Sequence, residues 1–184
     1  MVEIRLLTEL NRNSLNILIS GYVSDSKYAV RWEDGDRASI FSLELVKLEV
    51  PYVKRYDAPD DAAFERYQAM VRQGYSFGVY TRDELIGLAI ADYQDWNDSL
   101  TIWEFHIAEA YRGKGLGAAL MENVAEKARL EGVRVLVCET QNTNVPAIRF
   151  YRRQGFALEG IDLSLYSNSD WPDGEIAVFM KRRL

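Results

Sequence analysis

The chain has 184 residues, a net charge of −6 and a hydrophobic fraction of 48%, which predicts one domain over residues 1–184 with a sizeable core. The acidic balance argues against a nucleic-acid-binding protein, which needs a basic face, and suits a small cationic partner. One cysteine and one histidine exclude an internal disulfide and argue against a metal site. No apolar run approaches the ~20 residues that span a membrane, and the N-terminus lacks signal-peptide features, so we expect a cytoplasmic protein with no membrane partner.

The first half of the chain predicts two strands of a hairpin among other short elements. Asp34-Gly35 separates two β-rich runs and is a hairpin signal, and Pro51 is expected to end the second run. Apolar spacing and turn residues predict, in order, a strand at 2–7, a helix at 11–20, strands at 27–32 and 38–48, and a helix that begins near Asp57 and ends at Gly74.

The second half predicts a meander of strands followed by a βαβα pattern. The helix over 116–130 places Leu116, Leu120, Val124 and Ala128 on one stripe. The continuous apolar run over 133–138 is typical of a buried parallel strand. Strands are also predicted at 75–80, 85–93, 100–108, 157–166 and 176–180, and a helix at 145–154.

A glycine-rich stretch between the strand at 100–108 and the helix at 116–130 predicts an anion site. It reads Arg112-Gly113-Lys114-Gly115-Leu116-Gly117. Glycines let the backbone come close to a ligand, and the N-terminus of the following helix offers unpaired N–H groups and a positive dipole end. Such a combination most often binds phosphate.

Two nucleotide-binding motifs compete for this stretch and fit it poorly. A triphosphate-binding loop needs Ser or Thr after Gly-Lys, and Gly115 stands there. Gly113, Gly115 and Ala118 fit the dinucleotide pattern, but four residues separate the strand from Gly113, where that pattern wants the glycine in the turn itself. The pattern R-x-x-G-x-G/A is met by Arg112, Gly115 and Gly117.

A second motif lies about thirty residues further along the chain. Asn144, Ala147, Phe150, Tyr151, Gly155 and Phe156 match N-x-x-A-x-x-F-Y-x-x-x-G-F. Together with the glycine-rich stretch, this motif resembles the GNAT superfamily of N-acetyltransferases. The resemblance implies an α/β (α+β) fold with a mixed, mostly antiparallel, splayed sheet of about seven strands flanked by helices.

The resemblance also implies acetyl-CoA as co-substrate, with no metal. Its pyrophosphate would lie on the amides of the glycine-rich stretch, and its pantetheine arm would pair with a strand edge near Ile107 and Ala108, as a peptide adds to a sheet. The residues assigned to acetyl-CoA in this way are Ile107, Ala108, Arg112, Gly113, Lys114, Gly115, Leu116, Gly117, Asn144, Ala147 and Tyr151.

A narrower resemblance covers most of the chain from about Ala38. The stretches 50–54, 139–144, 151–156 and 174–179 look like those of streptothricin acetyltransferases, which acetylate an amine on the β-lysine side chain of streptothricin antibiotics. Those enzymes carry Glu-Asp in the fourth strand, where this chain has Trp103-Glu104. A tryptophan therefore stands in the place of one carboxylate.

The predicted reaction is the attack of an amine on a thioester. A lysine-like amine has a pKa of about 10.4 and must lose a proton first, and either Glu104 or Glu139 can accept it. Tyr151 is the candidate acid for the departing thiolate. Trp103, His106, Tyr166 and Trp171 are candidates for contact with the substrate, although core packing or a structural histidine explains them as well.

The sequence therefore predicts an N-acetyltransferase whose acceptor is a primary amine of a small molecule, of the streptothricin type. Two alternatives stay open: a protein or peptide N-acetyltransferase, and a non-catalytic acyl-CoA-binding module. Homodimers are common in the superfamily, so the resemblance allows a homodimer as well as a monomer.

Overall fold

The computed structural model describes residues 1–184 and contains four α-helices and nine β-strands. The helices are α1 (Arg12–Leu18), α2 (Asp61–Arg72), α3 (Leu116–Leu130) and α4 (Val145–Arg153). The strands are β1 (Val2–Leu6), β2 (Tyr22–Gly35), β3 (Ala38–Lys54), β4 (Phe77–Thr81), β5 (Glu84–Gln94), β6 (Ser99–Ile107), β7 (Val135–Gln141), β8 (Ala157–Asp162) and β9 (Ala177–Arg183). None of the helices combines the length and the apolar character needed to cross a bilayer.

Seven strands form one sheet in the order β1-β4-β5-β6-β7-β9-β8. The pairs β1–β4, β4–β5 and β5–β6 are antiparallel, and β6–β7 is parallel. The β6–β7 pairing runs from Ser99 opposite Val135 to Ile102 opposite Cys138. The prediction of a mixed, mostly antiparallel sheet of about seven strands flanked by helices is confirmed.

The strands β2 and β3 form a separate two-stranded sheet. The hairpin is longer than predicted, because β3 continues through Pro51 to Lys54. The expectation that Pro51 ends this strand is wrong for a local reason. The register shifts near Ser24 and Ser26, and the paired residues of β3 jump from Lys47 to Tyr52. Pro51 thus lies in an irregular stretch where no ladder hydrogen bond needs its missing N–H.

The helix α3 has the bounds that the sequence predicts, and its predicted stripe is the buried one. Leu120, Val124 and Ala128 are fully buried, whereas Leu116 in the first turn is only half-buried. Gly132 follows the helix with a φ of +77°, a conformation that glycine adopts at little cost. The strand β8 is shorter than predicted, because the side chain of Asp162 accepts a hydrogen bond from the Ser164 N–H at 2.9 Å and turns the chain.

The chain divides into two compact units. Unit 1 comprises residues 1–20, 56–138 and 181–184, and unit 2 comprises residues 21–55 and 139–180. The core of unit 1 includes Leu7, Leu10, Leu15, Leu18, Ile19, Met70, Val71, Leu88 and Ile90. Buried side chains of unit 2 include Tyr28, Val30, Val145, Ile148, Tyr151, Phe156, Ile176 and Met180. The single domain over residues 1–184 stays a prediction.

Candidate active site

The glycine-rich stretch of unit 1 has the backbone of an anion site. Gly113 and Gly115 have φ angles of +73° and +81°, which side chains other than glycine rarely adopt. A Cβ built on either residue meets no protein atom within 4 Å, so protein packing does not demand these glycines. Gly115 is the N-cap of α3 and supplies no side-chain cap. The first N–H groups of this helix are therefore available to a ligand.

Both basic residues of this stretch donate a hydrogen bond to a backbone carbonyl oxygen, and Arg112 also donates to a side chain. Arg112 donates from Nε to the Ile107 carbonyl oxygen at 2.9 Å and from Nη2 to Ser20 Oγ at 3.2 Å. Lys114 donates from Nζ to the Ala110 carbonyl oxygen at 2.8 Å and lies 5.1 Å from the centre of the Tyr111 ring. Arg112 thus ties the glycine-rich stretch to the end of β6. The Ala108 N–H donates to the Ile86 carbonyl oxygen at 2.8 Å.

Strand β6 has a bulge at Trp103. On β5, Ile90 pairs with Glu104 and the adjacent Ala91 pairs with Ile102, so Trp103 is the extra residue. Its side chain is 54% exposed. Beyond Ile102 the register with β7 has also ended. Bulges are common beside active sites because they redirect side chains and interrupt pairing, and this one lies next to a candidate base.

Two polar side chains of unit 1, those of Tyr67 and His106, meet at Glu104. Tyr67, on α2, donates its hydroxyl to Glu104 Oε1 at 2.5 Å, and His106 Nε2 lies 2.6 Å from Glu104 Oε2. Glu104 and His106 lie two residues apart on β6 and share one face, with side chains 18% and 14% exposed. Burial, followed by the charge of Glu104, raises the pKa of the Tyr67 hydroxyl far above its ordinary value. Tyr67 therefore stays a donor at every working pH.

The second candidate base, Glu139, lies in unit 2 and contacts a different tyrosine. Tyr166 donates a short hydrogen bond to Glu139 Oε1 and accepts one from Gln141 Nε2 at 3.2 Å. Burial raises the pKa of the Glu139 carboxyl; the bond from Tyr166 opposes this rise, and the charge of Glu175 adds to it. A raised pKa brings a carboxylate closer to the range of an effective general base.

Glu175 belongs to a polar cluster in unit 2 that sequence patterns did not reveal. Tyr22 lies 2.7 Å from Thr143 Oγ1 and donates to Glu175 Oε1 at 3.2 Å. Lys54 forms an ion pair with Glu175 Oε2. The contacts that Tyr22 and Lys54 make in this cluster each join residues more than 100 positions apart, for example 121 residues between Lys54 and Glu175, so no local motif could have linked them.

The helix α4 in unit 2 carries Tyr151 in a packed position. Tyr151 is 7% exposed, and its ring centre lies 5.4 Å from that of Phe150 and 5.3 Å from that of Phe156. The side chain of Asn144 accepts a hydrogen bond from the Ala147 N–H at 3.2 Å and caps the helix. Asn144, Ala147, Phe150 and Phe156 therefore hold Tyr151 in place. A direct role in acetyl-CoA binding stays a prediction for Asn144 and Ala147, as it does for every other residue assigned to acetyl-CoA from the sequence.

Trp171 is one of a pair of half-exposed tryptophans in unit 2. Its ring packs edge-on against Trp32 with centres 5.7 Å apart, and Trp32 stacks on Phe41 at 6.2 Å.

The predicted site residues fall into two groups. Glu104 and His106 lie near Trp103 in unit 1, and Glu139 lies beside Tyr166 in unit 2. The sequence missed Tyr67, because nothing in the pattern of α2 separates its hydroxyl from an ordinary surface tyrosine.

Comparison with known proteins gives a consistent result. The model of the acetyltransferase (GNAT) family matches residues 39–156. A streptothricin acetyltransferase of Streptomyces lavendulae is 35% identical over 144 residues, which are 76% of this chain and 75% of that protein. The crystal structure of a nourseothricin acetyltransferase superposes with a TM-score of 0.77 at 31% identity and covers 99% of this chain and 98% of that one.

A Bacillus anthracis protein solved in complex with acetyl coenzyme A has the same fold. Its TM-score is 0.74 at 21% identity, and the match covers 100% of both chains. The predicted likeness to streptothricin acetyltransferases is confirmed. This chain belongs to the acetyltransferase (GNAT) family and is an acetyl-transferring enzyme.

Proposed function

We propose that this enzyme transfers the acetyl group of acetyl-CoA to a primary amine of a streptothricin-type antibiotic, by direct attack in a ternary complex. The observation that carries the proposal is the 35% identity to a streptothricin acetyltransferase over three quarters of both chains. The net charge of −6 suits an acceptor that arrives as a cation.

Acetyl-CoA would use two features of unit 1. Its pyrophosphate would accept hydrogen bonds from the backbone N–H groups between Gly113 and Gly117, where the glycine φ angles and the uncapped start of α3 leave room and donors. Its pantetheine amides would pair with the edge of β6 beyond Ile102. Arg112 would keep both features in register, since it ties Ile107 to the glycine-rich stretch.

The reaction forms one C–N bond and breaks one C–S bond. The acceptor ammonium first gives a proton to a base, the free amine attacks the thioester carbonyl, and the oxyanion needs a donor such as a backbone N–H of β6 beside the Trp103 bulge. The attacking nitrogen loses its second proton as the amide forms, and the departing thiolate of CoA takes a proton, for which we assign Tyr151; the proton from nitrogen then restores the Tyr151 hydroxyl. Glu104 and Glu139 are the carboxylates that can belong to the base.

The aromatic residues Trp103, Tyr166 and Trp171 are proposed to contact the acceptor. Each is at least one-third exposed, at 54%, 42% and 36% respectively. Flat rings suit a cationic antibiotic, because a cation is attracted to the face of an aromatic ring. A homodimer and a location in the cytoplasm belong to the same proposal, although it does not depend on them.

The experiment is a thiol-release assay with acetyl-CoA and three kinds of acceptor. Streptothricin is expected to give the highest kcat/KM, with the product one acetyl group heavier by mass spectrometry. A peptide with a free N-terminal amine and spermidine serve as comparison acceptors. Faster acetylation of the peptide would make the enzyme a peptide N-acetyltransferase. Acetyl-CoA binding by calorimetry without thiol release for any acceptor would make it a non-catalytic module.

A further inference from the structure

We propose that Tyr67, Glu104 and His106 form one proton-accepting unit, in which His106 takes the proton from the acceptor amine while Glu104 and Tyr67 position its ring. The inference rests on the proposed function and deepens it by choosing the base. Its basis is the pair of short hydrogen bonds that meet on the two oxygens of Glu104.

In the proposed unit Glu104 is ionised, and this sets the direction of its hydrogen bond with His106. An ionised carboxylate only accepts hydrogen bonds, so Tyr67 donates to Oε1 and His106 donates its Nε2–H to Oε2. The neutral ring then carries its proton on Nε2 and a lone pair on Nδ1. The hydrogen bond made by one ring nitrogen of a histidine thus determines whether the other nitrogen carries a proton. A nucleophile or acid–base group held by a third residue is a recurring catalytic arrangement.

The surroundings of the Glu104–His106 pair are mostly apolar on the side of β5. The side chain of His106 is 14% exposed and that of Glu104 is 18% exposed. Both side chains are therefore mostly shielded from solvent but not fully buried. Opposite them, β5 presents buried Leu88 and Ile90. From α2 and its N-cap, Arg66 and Asp60 act on the Tyr67 hydroxyl with opposite signs. After β6, Arg112 is bonded to Ile107 and Ser20.

The step transfers one proton from the acceptor to the lone pair on Nδ1 of His106. An N–H bond of the acceptor ammonium breaks, its electron pair stays on nitrogen, and an N–H bond forms at Nδ1 of the imidazole. The resulting imidazolium faces the ionised Glu104, which stabilises the new charge. Histidine is the side chain whose ordinary pKa makes this exchange possible near pH 7, whereas a carboxylate is a weaker base for an ammonium group.

The chain contains one histidine, which makes the test direct. The imidazole C–H resonances in a proton NMR titration of the whole enzyme all come from His106 and need no assignment. The kcat/KM of streptothricin acetylation, measured against pH, reports the base of the free enzyme. We expect the NMR midpoint and the acidic limb of this profile to coincide.

Tyr67→Phe removes one hydrogen-bond donor from Glu104. The carboxylate then keeps more negative charge and stabilises the imidazolium of His106 more strongly. The NMR midpoint and the acidic limb should therefore rise together by about half a pH unit, with the KM for acetyl-CoA unchanged. Tyr93→Phe is the matched control, because it deletes a tyrosine–carboxylate bond of 2.8 Å to Asp98 outside the unit. Glu104→Gln removes the negative charge and should move the midpoint in the opposite direction.

His106→Gln keeps a donor for Glu104 and lacks the basic ring nitrogen, so kcat/KM should fall by about 100-fold and the acidic limb should vanish. A limb that persists in His106→Gln, or that differs from the NMR midpoint in the wild type, overturns the inference. If the acidic limb of the kcat/KM profile moves only in Glu139→Gln, the inference on His106 is also overturned and the base is Glu139. Wild-type enzyme that releases no thiol with any amine refutes the proposed function itself, which the NMR titration alone cannot do.

Discussion

Tyr151 illustrates how one residue can serve both packing and chemistry. Its ring lies between Phe150 and Phe156 and is nearly buried, so the carbon skeleton contributes to the core of unit 2. The hydroxyl is the part that the proposed reaction needs, since it would protonate the CoA thiolate. A substitution that removes only the hydroxyl therefore separates the two contributions.

Tyr151→Phe is expected to lower kcat by about 100-fold, which is the ordinary range for the loss of a general acid. The Kd of acetyl-CoA, measured by calorimetry, should not change, because the ring is retained. Tyr28→Phe is a suitable control, since Tyr28 is also buried in unit 2 and its hydroxyl accepts from Arg152 Nη1 at 3.0 Å. Unchanged turnover in Tyr151→Phe would remove Tyr151 from the mechanism.

Single residues were predictable from sequence where a motif fixed the backbone, and unpredictable where only tertiary contact mattered. The positive φ angles of Gly113 and Gly115 follow from the glycine-rich pattern. The bonds from Tyr67 to Glu104 and from Lys54 to Glu175 join residues 37 and 121 positions apart. Such contacts depend on how helices and strands pack, which local spacing does not encode.

Among the helices and strands, α3 offers the clearest experiment, because a glycine with a positive φ angle lies at each end of this helix. Gly115 precedes the helix with a φ of +81°, Gly132 follows it with a φ of +77°, and a Cβ on either meets no atom within 4 Å. A left-handed conformation costs a non-glycine residue about 1–2 kcal/mol. The two alanine substitutions should therefore lower the free energy of unfolding by similar amounts.

Only Gly115→Ala is expected to affect the donor, since its new methyl group would point into the space assigned to the pyrophosphate. The Kd of acetyl-CoA should rise by about 10-fold in Gly115→Ala, equivalent to about 1.4 kcal/mol, and stay at the wild-type value in Gly132→Ala. Calorimetric titration measures both values, and urea unfolding measures the stability. Equal Kd values in the two variants would place the pyrophosphate elsewhere.

The N-cap of α4 allows a second experiment on a helix. Asn144 accepts from the Ala147 N–H, and loss of such a cap costs about 1 kcal/mol. Asn144→Ala should therefore lower the free energy of unfolding by about that amount and also lower kcat, because α4 carries Tyr151. Asn11→Ala removes the comparable cap of α1, where Asn11 accepts from the Ser14 N–H at 3.1 Å, and should leave kcat unchanged.

Helices and strands were predicted well where hydrophobic period and turn residues agreed. The bounds of α3 match, and the apolar run before Cys138 is a parallel strand as expected. The bulge at Trp103 and the irregular stretch around Pro51 were missed. Both arise from pairing with a neighbouring strand, and an extra residue in one strand leaves the alternation of apolar side chains almost unchanged.

For the whole molecule, the pKa shifts of Glu139 and Glu122 predict opposite effects of pH on stability. Burial raises the pKa of Glu139 in the folded state. Hydrogen bonds from Arg182 and Arg129 lower the pKa of Glu122. Ionised Glu139 thus disfavours folding, whereas ionised Glu122, which bridges α3 to Arg182 at 2.8 Å, favours it.

The free energies of unfolding of Glu139→Gln and Glu122→Gln, measured in urea at low pH and at pH 7, test this contrast. Below the unfolded pKa of glutamate, about 4.3, Glu139 is protonated in both states, so Glu139→Gln should not change the stability there. As pH rises from the unfolded pKa to the raised folded pKa, the wild type loses stability because its buried carboxyl must ionise. The variant has a neutral amide at this position and becomes the more stable protein.

Glu122→Gln should do the reverse. Its free energy of unfolding should be about 0.5 kcal/mol below that of the wild type at pH 7, a typical value for an exposed ion pair. Once the pH is below the lowered folded pKa of Glu122, the two free energies should be equal. A Glu139→Gln variant that is less stable than wild type at pH 7 would contradict the buried-carboxyl assignment. The opposite result, higher stability with lower activity, would show that the enzyme keeps a destabilising carboxylate for its function.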